Sequence, residues 1–274
     1  MLGRSSNPGI RGIALALLSW CGARASAHAV EPPIEALFKT EVVYPQDQGE
    51  VQLTIGGSWQ LDDRSAGELA AEYGLTDSWE IGLEWDGVVA NQDPAAEGAI
   101  GPGDLSLSTR YTFMDALTSD LHASFGFELG LPTGDADSDL GEGALVYAPF
   151  AIVAFDLPTP APAQVFSQFG VGFVDPVEDF EEGESPTDEI FWSSGFFFSL
   201  GDLRITQEIT WETDTWSGGD EDLVYWTPGL VWHGPFGVEA GLGIPVGLTA
   251  DTAPVGLMAL LTTEFELPGA SADD

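Results

Sequence analysis

A chain of 274 residues with 45 acidic against 7 basic residues, net charge −38, has no basic footprint, which excludes nucleic acid as a partner. Its single cysteine, Cys21, excludes a disulfide framework. Beyond the first 29 residues no apolar run approaches the ~20 needed for a spanning helix, so any membrane crossing must be made by strands.

Residues 1–29 carry Arg4 and Arg11, the apolar run IALALLSW, and small residues at Ala27 and Ala29. This pattern predicts a secretory signal peptide cleaved after Ala29, with Ala27 as the alternative. Bulky Trp20 before Cys21 argues against lipid attachment there. After this segment the basic residues are Lys39, Arg64, Arg110 and Arg204. The acidity then has two readings, solubility in a salty habitat or an interior that attracts cations. Residues 30–48, with Leu37, Phe38 and Lys39, form a periplasmic segment able to tuck into the periplasmic mouth of the domain that begins at residue 49.

From residue 49 the pattern is period two. VQLTIGGSWQL (51–61), ELAAEYGL (68–75), SWEIGLEWDG (78–87), GDLSLSTRYTF (103–113) and LHASFGFELGL (121–131) alternate cleanly. Residues 145–155, 164–174 and 190–200 continue the series with apolar residues on both faces. Alternation returns in 203–212, 223–232, 236–244 and 255–267, for twelve strands of the length a tilted strand needs to cross a bilayer. Connections alternate between short (GLTDS, GD, HGP) and long (132–143, 175–189, 213–222). Even strand number and alternating loop length predict an all-β fold, an antiparallel up-and-down transmembrane β-barrel spanning 49–267, with an acidic tail at 268–274 and both ends in the periplasm.

Parity then assigns faces. Trp59, Tyr73, Trp79, Trp85, Tyr111, Phe113, Trp211 and Phe265 fall on the lipid side as an aromatic girdle. Glu72, Glu80, Glu84, Asp86, Asp104, Arg110, His122, Glu128, Arg204, Glu208, Glu212, Glu239 and Glu264 fall on the lumen side. Arg110 and Arg204 among carboxylates predict ion pairs that brace the wall or form a selective constriction.

The stretches EYGLTDSWEIGLEWDG, GPGDLSLSTRYTF and FELGLPTGD resemble the outer-membrane barrels grouped as MetA-pathway phenol-degradation proteins, a transporter-like family, best over residues 50 to 135. The resemblance implies a small outer-membrane barrel passing aromatic or other small organic molecules, and it supplies no catalytic residues. Many such barrels end on an aromatic residue, whereas here Phe265 is followed by ELPGASADD.

His122 and Ser124 point the same way on one strand, the spacing of an outer-membrane lipid hydrolase, but an orienting third group is missing from the pattern. Asp135, Asp137 and Asp139 have the early spacing of a calcium loop, while the sixth and twelfth places hold Leu140 and Val146, leaving at most a weak cation site. No cofactor and no enzyme activity are expected. The reading is a passive channel or transporter for small, aromatic or cationic solutes in the outer membrane of a Gram-negative bacterium. Its partners are outer-membrane lipid, lipopolysaccharide and divalent cations at the outer loops. The alternative is a plugged barrel with a structural or adhesive role.

Overall fold

The computed structural model describes residues 32–60, 64–91, 99–177, 187–213 and 222–267. The expected signal peptide, the 268–274 tail and much of the acidic stretch 175–189 lie outside them.

Twelve long strands form one closed sheet. They are β1 (Glu50–Gln60), β2 (Arg64–Thr76), β3 (Trp79–Asn91), β4 (Leu105–Phe113), β5 (Leu121–Leu131) and β6 (Ala144–Asp156), followed by β7 (Ala163–Pro176), β8 (Glu189–Leu200), β9 (Leu203–Thr213), β10 (Asp222–His233), β11 (Val238–Gly243) and β12 (Gly256–Glu266). Each pairs antiparallel with its neighbours in sequence. β1 closes on β12 in a register running from Glu50↔Glu266 to Gln60↔Gly256. Closure leaves no edge to satisfy, the condition for strands surrounded by lipid.

The rim carrying Glu50 and Glu266 is the lower rim, and its connections run from two to seven residues. Gly201 takes φ +64° between β8 and β9, as a two-residue hairpin with glycine first requires. Phe236 and Gly237 have positive φ before Val238, so β11 starts two residues later than the alternation predicts. At the upper rim, β2 begins at Arg64 and β3 runs to Asn91, longer than the pattern suggested. A register shift at Gly67/Glu68 lets these ends stay paired although RSAG carries no alternation.

Inward and outward faces separate sharply. On β3, Trp79, Ile81 and Leu83 are 43–46% exposed, while Glu80 between them is 5% exposed. Outward tryptophans satisfy their indole N–H groups across strands, Trp79 on Thr109 (2.7 Å), Trp192 on Ser167 (2.9 Å) and Trp226 on Gln207 (3.0 Å).

The apolar core lies inside the barrel. Ile34, Phe38, Val42 and Val43 of the N-terminal segment are buried against Phe150, Ile152, Ala154, Phe166, Phe197, Val231 and Leu260 of the wall. This explains the blurred alternation of β6 to β8. Their inward positions are apolar because they face the N-terminal segment instead of water.

Candidate functional site

The site is the lumen and the segment that occupies it. Residues 32–49 have no helix or strand, so their backbone N–H groups must find partners elsewhere. The wall supplies them. Glu239 accepts from Glu35 N (2.9 Å), Glu208 takes Phe38 N and Lys39 N on its two oxygens (3.0 and 2.9 Å), Gln168 accepts from Glu41 N (2.9 Å), and Glu80 from Gln46 N (3.0 Å). Glu208 and Glu239 are almost wholly buried, so these are charge-assisted bonds in a dry setting.

The carbonyls are held by the two lumen arginines. Arg110 donates to Val42 O and to Tyr44 O (3.2 Å) and pairs with Glu80 at 2.6 Å and Glu41 at 3.5 Å. Arg204 donates to Pro33 O (2.6 Å) and Gly201 O (3.0 Å). Ion pairing with carboxylates was the expectation for both. Among the described residues Arg204 instead bonds main-chain carbonyls, because the segment brings Pro33 O within reach of its guanidinium.

These contacts trace a loop. The segment starts near the lower rim at Pro33, rises to Phe38 and Lys39 beside the middle of β9 and β10, turns at Thr40 and Glu41, and descends through Val43 and Tyr44. It rejoins the wall where Gly49 N bonds Gly74 O. Gly229 on β10 and Gly241 and Gly243 on β11 form a socket for Phe38, since a Cβ at Gly241 or Gly243 would stand 3.0 or 2.9 Å from the ring. At Gly74 a Cβ would collide with the carbonyls of Gln46 and Asp47. Sequence reasoning placed Phe38 near the mouth but missed this socket. Its only trace is glycine at inward positions on two adjacent strands.

Beside the loop two spaces remain. A narrow one of about 30 Å³, room for little more than a water molecule, is lined by Glu41, Glu72, Glu80, Glu84, Ser108, Arg110 and Glu128. A wider one of about 230 Å³ lies beside Lys39, against Gln168, Glu189, Phe191, Ser193, Thr210, Glu212 and Tyr225. Near the lower rim Glu264 accepts from Gln52 (3.3 Å). Glu35, outside the strands, is 3% exposed. Burial, a hydrogen bond that the protonated carboxyl donates to Glu264, the charge of Glu264 and the charge of Glu239 push its carboxyl up to about 11.

Other expected positions are placed as follows. Asp86 lies on β3 opposite Glu68 of β2, and its main chain bonds that of Asp104 and Gly103. Asp104, expected in the lumen, stands at the upper rim one residue before β4, where its carboxylate accepts Thr133 N, Gly134 N and Glu142 N at 2.6–2.8 Å. It ties down the outer loop. Within that loop Asp135 accepts from Ser138 Oγ (2.9 Å) and Asp139 takes a left-handed turn. Asp135, Asp137 and Asp139 do not converge, and among the described residues no group of three or more ligands gathers for a metal. Trp59, Trp79, Phe113 and Phe265 are 40–46% exposed, and Trp85 and Tyr111 37%, all on the outer surface, with Tyr73 and Trp211 partly buried there. His122 Nε2 bonds Asp156 (2.9 Å), its Nδ1 accepts Asp115 N (3.2 Å), and Ser124 Oγ bonds Thr112 Oγ1 (2.8 Å) and Val43 O (3.3 Å). Histidine and serine are each engaged elsewhere, so no nucleophile and base pair is assembled from them.

No protein family and no curated protein matches the chain in sequence. In structure it is similar to the COG4313 outer membrane channel from Pseudomonas putida F1, with a TM-score of 0.62 and 14% identity over 81% of this chain and 98% of that one. It is also similar to the KdgM porin (TM-score 0.55, 10% identity, 78% and 99% covered) and the NanC porin (0.54, 10%, 78% and 100%). At these identities the likeness is one of fold, that of outer-membrane porin-like barrels.

Proposed function

We propose that the chain is an outer-membrane channel for small solutes whose periplasmic half is closed by its own N-terminal segment. The observation that carries the reading is the pairing of an apolar outer band with an acidic interior that grips residues 33–46 by side chains alone. A segment held by separate hydrogen bonds, with no strand added to the wall, leaves the barrel closed and paired if it withdraws. The lower rim is then periplasmic, and residues 1–29 are the export signal.

The carboxylates above the loop, Glu84, Glu128 and Glu212, give the open part of the lumen a negative field that favours cations. The motifs similar to MetA-pathway phenol-degradation barrels agree with an organic solute. The second reading, a filled barrel that only presents its outer loops, is favoured by the buried apolar contact between Ile34, Val42, Val43 and the wall.

Single-channel recording of the refolded protein in planar bilayers under a KCl gradient separates them. Steady or flickering openings with a cation-selective reversal potential support the channel. An inserted but silent barrel supports the filled one.

A further inference from the structure

The tip of the N-terminal loop places a lysine ammonium in an acidic, aromatic cavity. Lys39 Nζ lies 5.6 Å from the centroid of the Tyr225 ring, within cation–π distance. Among the described residues no carboxylate comes within salt-bridge distance of this nitrogen. The ring itself is fixed from outside, because its hydroxyl accepts Ala253 N (3.3 Å) from the connection between β11 and β12.

The rest of the cavity is unfilled. Its volume of about 230 Å³ exceeds the roughly 150 Å³ that accommodates a benzene ring. Phe191 supplies an apolar wall, and the carboxyls of Glu189 and Glu212 supply negative charge. A second observation points to a ligand. Ser193, 5% exposed and lining this space, has no hydrogen-bond partner for its hydroxyl among the described residues. Buried hydroxyls without partners are uncommon and mark places where a polar group belongs.

We infer that this cavity binds a small organic ammonium ion with an apolar body, and that the Lys39 ammonium is its tethered competitor. The cation takes the place of Nζ over Tyr225 and faces Glu189 and Glu212, the apolar body lies on Phe191, and a polar substituent reaches Ser193. Displacing Lys39 removes one of the contacts holding the loop tip, so binding and loosening of the loop are coupled. The inference names a solute class for the channel proposed above, but binding is measured without transport, so each fails separately.

The test is calorimetric titration of the full-length mature protein in detergent with phenethylammonium chloride, phenethyl alcohol as the uncharged control, and ammonium chloride as the control without an apolar body. The Lys39→Met variant keeps the main-chain bond to Glu208 and loses the competing charge. It should bind phenethylammonium about tenfold more tightly than the unaltered protein, while Lys39→Arg stays weak. Adding Glu212→Gln to Lys39→Met should reverse the gain. Equal affinity for the alcohol and the ammonium ion, or no difference between Lys39→Met and the unaltered chain, overturns the inference. Binding by a barrel silent in bilayers retains the site and removes the channel, and conduction without binding does the reverse.

Discussion

Arg110 Nη2 and Glu80 Oε1 lie 2.6 Å apart with both side chains buried, and each partner also holds the N-terminal segment. Glu80 accepts Gln46 N, and Arg110 donates to Val42 O and Tyr44 O, so one ion pair holds the descending arm at three of its residues. Breaking a buried pair on one side leaves an uncompensated charge, at a cost of about 3–5 kcal/mol. Arg110→Met should therefore free the descending arm while the sheet persists. Chemical denaturation should show lower stability, and bilayer recordings should show longer openings. Arg110→Met with Glu80→Gln should recover part of the lost stability, because no lone charge remains.

The ascending arm depends on packing. Removing the Phe38 ring from its glycine socket should cost about 3–5 kcal/mol of docking, the usual range for truncating a buried phenylalanine. Filling the socket with Gly241→Ala should expel the same ring from the opposite side. Phe38→Ala and Gly241→Ala should both make the arm cleavable by added protease in the folded protein. Resistance equal to that of the unaltered chain in both variants would show that the socket does not hold the segment.

Glu35 links docking to pH. Glu239, Glu264 and Glu50 surround it, and burial adds to their repulsion, so its carboxyl is raised above the ordinary 4.5 when docked. The docked state thus binds a proton that the released state gives up. Docking is tightest below the ordinary carboxyl range and weakens as pH rises from there toward about 11. Open probability should increase between pH 5 and 9, a window set by that upward shift. Glu35→Gln, which cannot ionise, should flatten the rise.

Asp104 is assigned to the outer loop. Asp104→Ala removes the acceptor for Thr133, Gly134 and Glu142 amides and should destabilise residues 132–143 locally by about 1.5–3 kcal/mol. Amide exchange should speed up in that loop, and selectivity in bilayers should remain. A shifted reversal potential would return Asp104 to the conducting path.

The barrel was legible because each strand repeats one physical demand, apolar outside and polar inside, and because its loops alternate in length. Trp79, Ile81 and Leu83 beside Glu80 state that demand in a few residues. Legibility failed wherever the inner face meets protein. Phe150, Ile152, Phe166 and Phe197 broke the alternation because Ile34, Val42 and Val43 replace water there. The segment itself has no period to read, as its amides are satisfied by side chains distant in sequence, Glu208 and Glu239 among them. Parity placed Asp104 in the lumen, but it precedes its strand and meets loop amides first. His122 and Ser124 share a face, yet Asp156 and Val43, both invisible to local spacing, take up their hydrogen bonds.

If residues 32–46 close an acidic, cation-favouring pore, removing them opens it. The most direct measurement compares single-channel conductance and reversal potential of the mature chain with those of a chain lacking these residues, each verified as a folded barrel by its heat-dependent gel migration. The mature protein should be silent or weakly conducting, and the deletion should give a severalfold larger, cation-selective conductance. Equal conductance, or an anion-selective pore once the segment is gone, would contradict the proposed pore.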